Sequence, residues 1–391
     1  MDKRLIWLGV GAFSTSTVAF VFSGLLPLIA ADTGISVSGA GHLITAYSLA
    51  YAIGTPVLSA VAGAVDRRRL IAAALLAFLA GNALAGISVS FGMLLAAQIV
   101  MGMAAGLFAA TAQATAVSLA GPEHRARAVA TVMGGTTFAV ALGAPLASLI
   151  ANIAGWRSAF LVVAVLALIC LTVLWLALPR GLAGTRLTLN ERLTAIGRPG
   201  IFASLLVTFL YMTGGFMVIS YLAPLAIEGA GLAVAVMPGM LLAFGIGAIC
   251  GNAISGRLSD RIGPSRVAAL ALASSSLMCL AIALDVEFLP HTIAGPLLIA
   301  LMVPWGIVGW TFPPAQASRI VGQAPDATHL TLSLNVSALY FGIGLGTFIG
   351  GGILEVASPV ALALAAAPLP LIALAILLAS GRRLRTVPAA G

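Results

Sequence analysis

The side chains able to do acid–base, nucleophilic or metal chemistry are few in this chain, and their spacing joins none of them. His42, His124, His291 and His329 stand in four separate segments, and the 11 acids fall between apolar runs or at their ends. No HExxH or Gly-x-Ser-x-Gly pattern is present, so the metal-water and nucleophile-elbow arrangements of hydrolases are not supported. Cys170, Cys250 and Cys279 lie inside apolar runs without paired spacing, which excludes a disulfide framework or a zinc site and reads as small core residues. A multispan membrane enzyme therefore fits badly, and no cofactor or metal is expected.

What remains is recognition chemistry: amides, hydroxyls and aromatic rings set in apolar surroundings. Gln98 is the most pointed, because an amide in hydrocarbon needs partners and can both donate and accept, to a neutral solute or to a facing helix. Tyr51, Phe216, Tyr221, Trp305 and Asn335 rank beside it, followed by Phe20, Ser23, Tyr47, Thr137 and Trp310. Met101 and Met133 would give a pliable wall for apolar compounds. Each residue also has an ordinary reading as a packing residue or an interfacial anchor. His42 with Asp32 nearby in sequence is the one histidine placed to pick up a proton, against the commoner reading of a solvated helix-end histidine.

The elements that hold these residues follow from composition. With 61% hydrophobic and 8% charged residues and a mean hydropathy of +1.14, the chain is far more apolar than a soluble domain, about a quarter of which is charged. It is an integral membrane protein. Its net charge of +8 is confined to short turns without aromatic interleaving, which excludes a nucleic-acid partner. The run from Leu5 to about Ala31 is too long for a signal peptide's apolar region, so it reads as a first span.

A bilayer core takes about 20 helical residues. Breaking the chain at charges and Gly/Pro clusters predicts twelve spans, near 5–31, 40–63, 70–88, 92–119, 127–151, 158–178, 201–227, 232–256, 266–285, 292–321, 329–354 and 359–380. Eighteen of the nineteen Lys and Arg then fall at one face and only Arg157 at the other, which places both termini in the cytoplasm. The outer loops are short and carry Asp32, Glu228, Asp285, Glu287 and Glu355. The polar stretch 179–200 is a cytoplasmic linker between six-span halves at 1–178 and 201–391. Its Leu187 to Ile196 portion reads as a short interfacial helix or a solvated tether.

Two polar turns echo each other half a chain apart: Gly63-Ala-Val-Asp66-Arg67-Arg68-Arg69 and Gly256-Arg-Leu-Ser-Asp260-Arg261-Ile-Gly263. Gly102 and Gly106 form a Gly-x-x-x-Gly face in the fourth span, and glycines thin the fifth and eleventh. These residues resemble the major facilitator superfamily, and within it the bacterial drug and sugar efflux branch of proton antiporters, over nearly the whole chain. Gly256-x-Leu-x-Asp260-Arg261-x-Gly263 is similar to the superfamily's signature loop. Gly155-Trp156-Arg157-x-x-Phe160 is similar to the motif before its sixth helix, and Gly143-Ala-Pro145 to the branch's antiporter motif on the fifth.

The resemblance implies an all-α membrane fold of twelve helices in two pseudo-symmetric six-helix bundles. It also implies secondary transport of a small organic solute, drug-like or sugar-like, by alternating access from the bacterial inner membrane, as a monomer and with protons as a possible coupling ion. Gly63, Asp66, Arg67, Gly256, Asp260 and Arg261 become gating residues, and the recognition residues above become cavity lining. Ala19 stands where branch members carry an acid and Gln98 where they carry an arginine. An uncoupled facilitator, or a sensor that kept the fold but lost coupling, therefore stands beside the antiporter. Without a mid-membrane acid, the expected cargo is neutral or weakly anionic.

Overall fold

A computed structural model describes all residues except 1, 63, 121–123, 183–196, 198–199 and 387–391. Among the described residues there is no strand. Twelve helices are long and apolar enough to cross a membrane: Lys3–Thr33, Val37–Val61, Arg67–Gly86, Phe91–Ala120, Arg127–Ala154, Trp156–Ala177, Ile201–Ile219, Val234–Ile262, Pro264–Phe288, His291–Gln323, Leu330–Val356 and Val360–Ser380. They are numbered below as spans in that order. By contact clustering the chain divides into two compact units, Met1–Thr188 with Ala235–Leu242, and Leu189–Val234 with Ala243–Gly391. The expected linker portion Leu187 to Ile196 lies outside the described residues, as does Gly63.

Each unit is built by the same device, small residues that let helix backbones touch. In the first unit a Cβ on Gly102 would collide with the Tyr47 carbonyl and one on Gly106 with Thr55, so spans 2 and 4 meet backbone to side-chain-free face. In the second, Gly247 and Gly251 of span 8 take the backbone of Val303 and Ile307 in span 10. Spans 1 and 5 close through Gly9 and Gly135, and spans 7 and 11 through Gly342 and Gly346 against Phe209 and Thr213. The correspondence of spans 2/4 with 8/10, and of 1/5 with 7/11, is the internal repeat that the two polar turns hinted at.

Span 5 is interrupted. Residues 139–143 form a π turn in which the Ala144 N–H donates to Ala139 O, directly before Pro145. Proline has no N–H to return to the preceding turn, and the wider turn absorbs the mismatch. A second such turn covers Leu225–Gly229, beyond the end of span 7 and just after Pro224. Neither is visible in hydrophobic periodicity, which reads both segments as plain helix.

Three charged residues sit differently from their sequence assignment. Asp285 is inside span 9, 3% exposed, not in an outer loop. Arg319 is 6% exposed inside span 10, about one turn before its end, not at the membrane face. Asp260 and Arg261 are not in a turn: the helix Met237–Ile262 runs through Gly256 and stops only at Gly263, whose φ of 86° admits glycine readily. Cys250 is exposed, whereas Cys170 and Cys279 are buried as expected.

Candidate functional site

In the first unit several polar residues of spans 1, 2, 4 and 5 are hydrogen-bonded, while Ser14 Oγ, Ser48 Oγ and both amide atoms of Gln98 have no partner among the described residues. Tyr47 donates its hydroxyl to Thr15 O at 3.0 Å, tying span 2 to span 1. Ser16 Oγ and Thr136 Oγ1 share a hydrogen bond of 3.1 Å between spans 1 and 5. Thr17, packed over Gly143, returns its hydroxyl to Phe13 O at 2.8 Å. Gln98 is different: it is 0% exposed, and neither its Nε2 nor its Oε1 has a hydrogen-bond partner among the described residues. It stands one helical turn before Gly102, on the span that the Gly-x-x-x-Gly face presses against span 2. Leaving a buried amide unmatched costs about 1–3 kcal/mol, which a packing role does not explain.

The remaining first-unit candidates are spread around that point. Ser23 and Met101 are buried, as is Tyr51, whose ring lies 6.4 Å from that of Tyr47. Phe20 and Thr137 are half-buried, and Met133 is on an outward face at 52% exposure. Asp32 is occupied by Arg157: Nη1 to Oδ2 is 2.6 Å, and the Trp156 indole N–H also reaches Oδ2 at 3.3 Å. Arg157 further donates to Ser88 O from Nε and Nη2, at 3.1 and 2.9 Å. The Gly-Trp-Arg motif is thus a clamp joining the ends of spans 1, 3 and 6.

In the second unit the amides of Gln316 and Asn335 are hydrogen-bonded. Gln316 Nε2 donates to Ser204 O at 2.7 Å and to Thr208 Oγ1 at 3.1 Å, and Thr208 donates to Asn335 Oδ1 at 2.6 Å. Gln316 Oε1 accepts from Arg319 Nη1 at 3.2 Å, while Arg319 Nη2 reaches Ser380 Oγ at 3.1 Å. This seam crosses spans 7, 10, 11 and 12 and holds a buried guanidinium with no ion pair among the described residues. Sequence reasoning singled out Asn335 but missed Arg319 and Ser204; the signal available was the spacing Gln316-x-x-Arg319, which puts both on one helix face. Tyr221 is fully buried, with its hydroxyl given to Thr347 O at 3.0 Å. Trp305 stands edge-on to Phe244 with centroids 5.4 Å apart, Phe216 is buried, and Trp310 is half-buried.

The two polar turns are unlike in structure. Asp66 caps span 3: one carboxylate oxygen accepts from the Arg68 and Arg69 N–H groups at 2.9 and 3.3 Å, and the other from Gly181 N–H at 2.6 Å. The Arg67 N–H donates to Leu182 O at 3.1 Å and its Nη1 to Ala114 O at 2.9 Å. The first turn therefore ties the start of span 3 to span 4 and to the chain just after span 6, inside one unit. Asp260 and Arg261 are exposed on the last turn of span 8, where terminal carbonyls favour the arginine and not the acid.

Comparison with known proteins agrees with this architecture. The family model described as Major Facilitator Superfamily matches residues 8–327. The chain is 32% identical over 354 residues to the uncharacterised MFS-type transporter YbcL of Bacillus subtilis, covering 90% of this chain and 89% of that one. It is 31% identical over 357 residues to the chloramphenicol resistance protein of Streptomyces lividans, covering 89% and 88%. Among solved structures, a D-xylose-proton symporter superposes with a TM-score of 0.73 at 15% identity, over 95% of both chains, a likeness of fold alone. Twelve apolar helices in two glycine-packed units, and a family match over most of its length, make this chain a multi-pass membrane transporter belonging to the major facilitator superfamily.

Proposed function

We propose that this transporter exports a small, neutral or weakly anionic organic solute by alternating access, working as a monomer with both termini in the cytoplasm. The observation that carries the reading is the unmatched amide of Gln98. A buried group with two donors and an acceptor all unengaged is preorganised for a ligand that supplies both kinds of partner, as an amide or a hydroxyl compound does. The name of the 31%-identical relative, a chloramphenicol resistance protein, supports outward movement and a cargo of this kind. Asp66 is committed to backbone amides and Asp32 to Arg157, so neither of these carboxylates is open for a bound cation. In this reading Tyr51 supplies an apolar face to the solute, and Gln98 fixes its orientation.

The turn at Asp66 and Arg67 is a standing clamp of the first unit, whereas Asp260 and Arg261, exposed on a helix end, are available to make and break contacts during the cycle. A second reading, an uncoupled facilitator, is favoured by Ala19, which is buried and cannot titrate. The test of export is resistance in a bacterial host stripped of its own efflux systems, using a panel of neutral, anionic and lipophilic cationic compounds with chloramphenicol among the neutral ones. Protection against neutral members is expected. Protection confined to lipophilic cations overturns the cargo assignment.

A further inference from the structure

We propose that the first unit carries a binding groove for one anionic phospholipid, between spans 3 and 6. A concave groove of about 390 Å³ opens there, walled by Ala72, Ala73 and Leu76 on one side and by Leu171, Trp175 and Leu176 on the other. Its lining is almost wholly apolar, and alanines on span 3 make the hollow that a larger residue would fill. Concave apolar clefts of this volume accept a ligand chain.

The headgroup end is set by charge. Arg68 lies one helical turn beyond Ala72, and its guanidinium carbon sits 4.4 Å from the centroid of Trp175, the same ring that walls the groove. That stacking fixes the cation at the groove mouth without neutralising it. Arg68 Nε has no hydrogen-bond partner, and Arg68 forms no ion pair among the described residues. Arg69 follows it in the chain, and Arg180 adjoins Gly181, whose N–H donates to Asp66. Asp66, close to Arg68 and Arg69 in the chain, has both oxygens committed to backbone N–H groups. From Arg68 to Leu76 the helix rises about 12 Å, the depth of the upper part of an acyl chain below its phosphate. An apolar slot under an arginine that forms no ion pair among the described residues is the chemistry that selects an anionic phospholipid over a zwitterionic one.

The experiment uses the purified full-length protein in detergent, with thermal stability and native mass spectrometry as readouts. Phosphatidylglycerol, phosphatidylcholine and inorganic phosphate are added separately. Phosphatidylglycerol is expected to raise the melting temperature and to be retained as a one-to-one adduct, with phosphatidylcholine and phosphate doing neither. Arg68→Gln should weaken phosphatidylglycerol retention about fivefold, and Ala73→Trp, which fills the slot and leaves the charges, should abolish it. Equal effects of the two lipids, reproduction of the effect by phosphate alone, or full retention in Ala73→Trp would each overturn the proposal. Wild-type retention of lipid is read first, so a variant that fails to fold does not decide the outcome.

Discussion

Exchanging Gln98 for leucine should move stability and transport in opposite directions. The side chain is fully buried, and neither amide atom is hydrogen-bonded. Leucine has a similar size and no polar atoms, so the substitution removes the desolvation penalty of the unmatched amide. That penalty is about 1–3 kcal/mol, and the variant should unfold at higher temperature by a corresponding amount. If the solute meets both the donor and the acceptor of this amide, losing two hydrogen bonds worth about 0.5–1.5 kcal/mol each weakens binding by about 1–3 kcal/mol. At 1.4 kcal/mol per tenfold, that is a rise in KM of about fivefold to 150-fold. The assay pairs a thermal unfolding curve of the purified variant with the concentration dependence of its transport. A lowered melting temperature with unchanged KM would refute the reasoning, because it would show that Gln98 is matched by a neighbouring helix and serves packing alone.

Other substitutions separate the roles of the polar turns and seams. Asp66→Ala removes three accepted N–H bonds and should destabilise the first unit by about 1–2 kcal/mol, as cap losses do, read as a lower melting temperature. Asp260→Asn should reduce the transport rate with protein abundance nearly unchanged; unaltered kinetics would remove it from the gate. Gly102→Val drives a side chain into the Tyr47 carbonyl and should cost about 1–3 kcal/mol by overpacking, measured as reduced yield of folded protein. Gln316→Leu strips the buried Arg319 guanidinium of its Gln316 partner, and a melting temperature equal to wild type would show that the seam does not hold spans 7, 10 and 12 together.

The class of fold was legible because lipid imposes it: a helix that must satisfy its own backbone in hydrocarbon leaves runs of about 20 apolar residues that no other structure explains. The repeat was legible for the same reason, since charge is tolerated only at the turns. Interruptions of the helices were not. Pro145 and Pro224 signal a disturbance, but whether it becomes a kink, a break or a π turn depends on neighbours such as Thr17 on span 1 and Thr347 on span 11.

Burial of charge was equally hidden. Arg319 counts as a face residue in any tally of basic turns, and only the packing of spans 10 and 12 shows that Ser380 and Gln316 enclose it. Arg157 shows the reverse case. As the lone arginine on its face it was the exception to the charge rule, and its ion pair with Asp32 and its bonds to Ser88 O give that exception a structural cause. Of the candidate residues, Gln98 could be singled out from chemistry alone, whereas the engagement of Tyr47 and Tyr221 with carbonyls of neighbouring spans required the fold.

Flux measured in proteoliposomes holding only the purified protein tests the central claim most directly. Saturable, protein-dependent movement of a neutral compound such as chloramphenicol is expected, with a raised KM in the Gln98→Leu variant, and none for the lipophilic cation tetraphenylphosphonium. An imposed pH gradient should drive its accumulation if transport is coupled and leave it at equilibrium if the protein is a facilitator. Saturable flux of the cation with none of the neutral compound, or neutral flux whose KM Gln98→Leu leaves unchanged, would contradict the account.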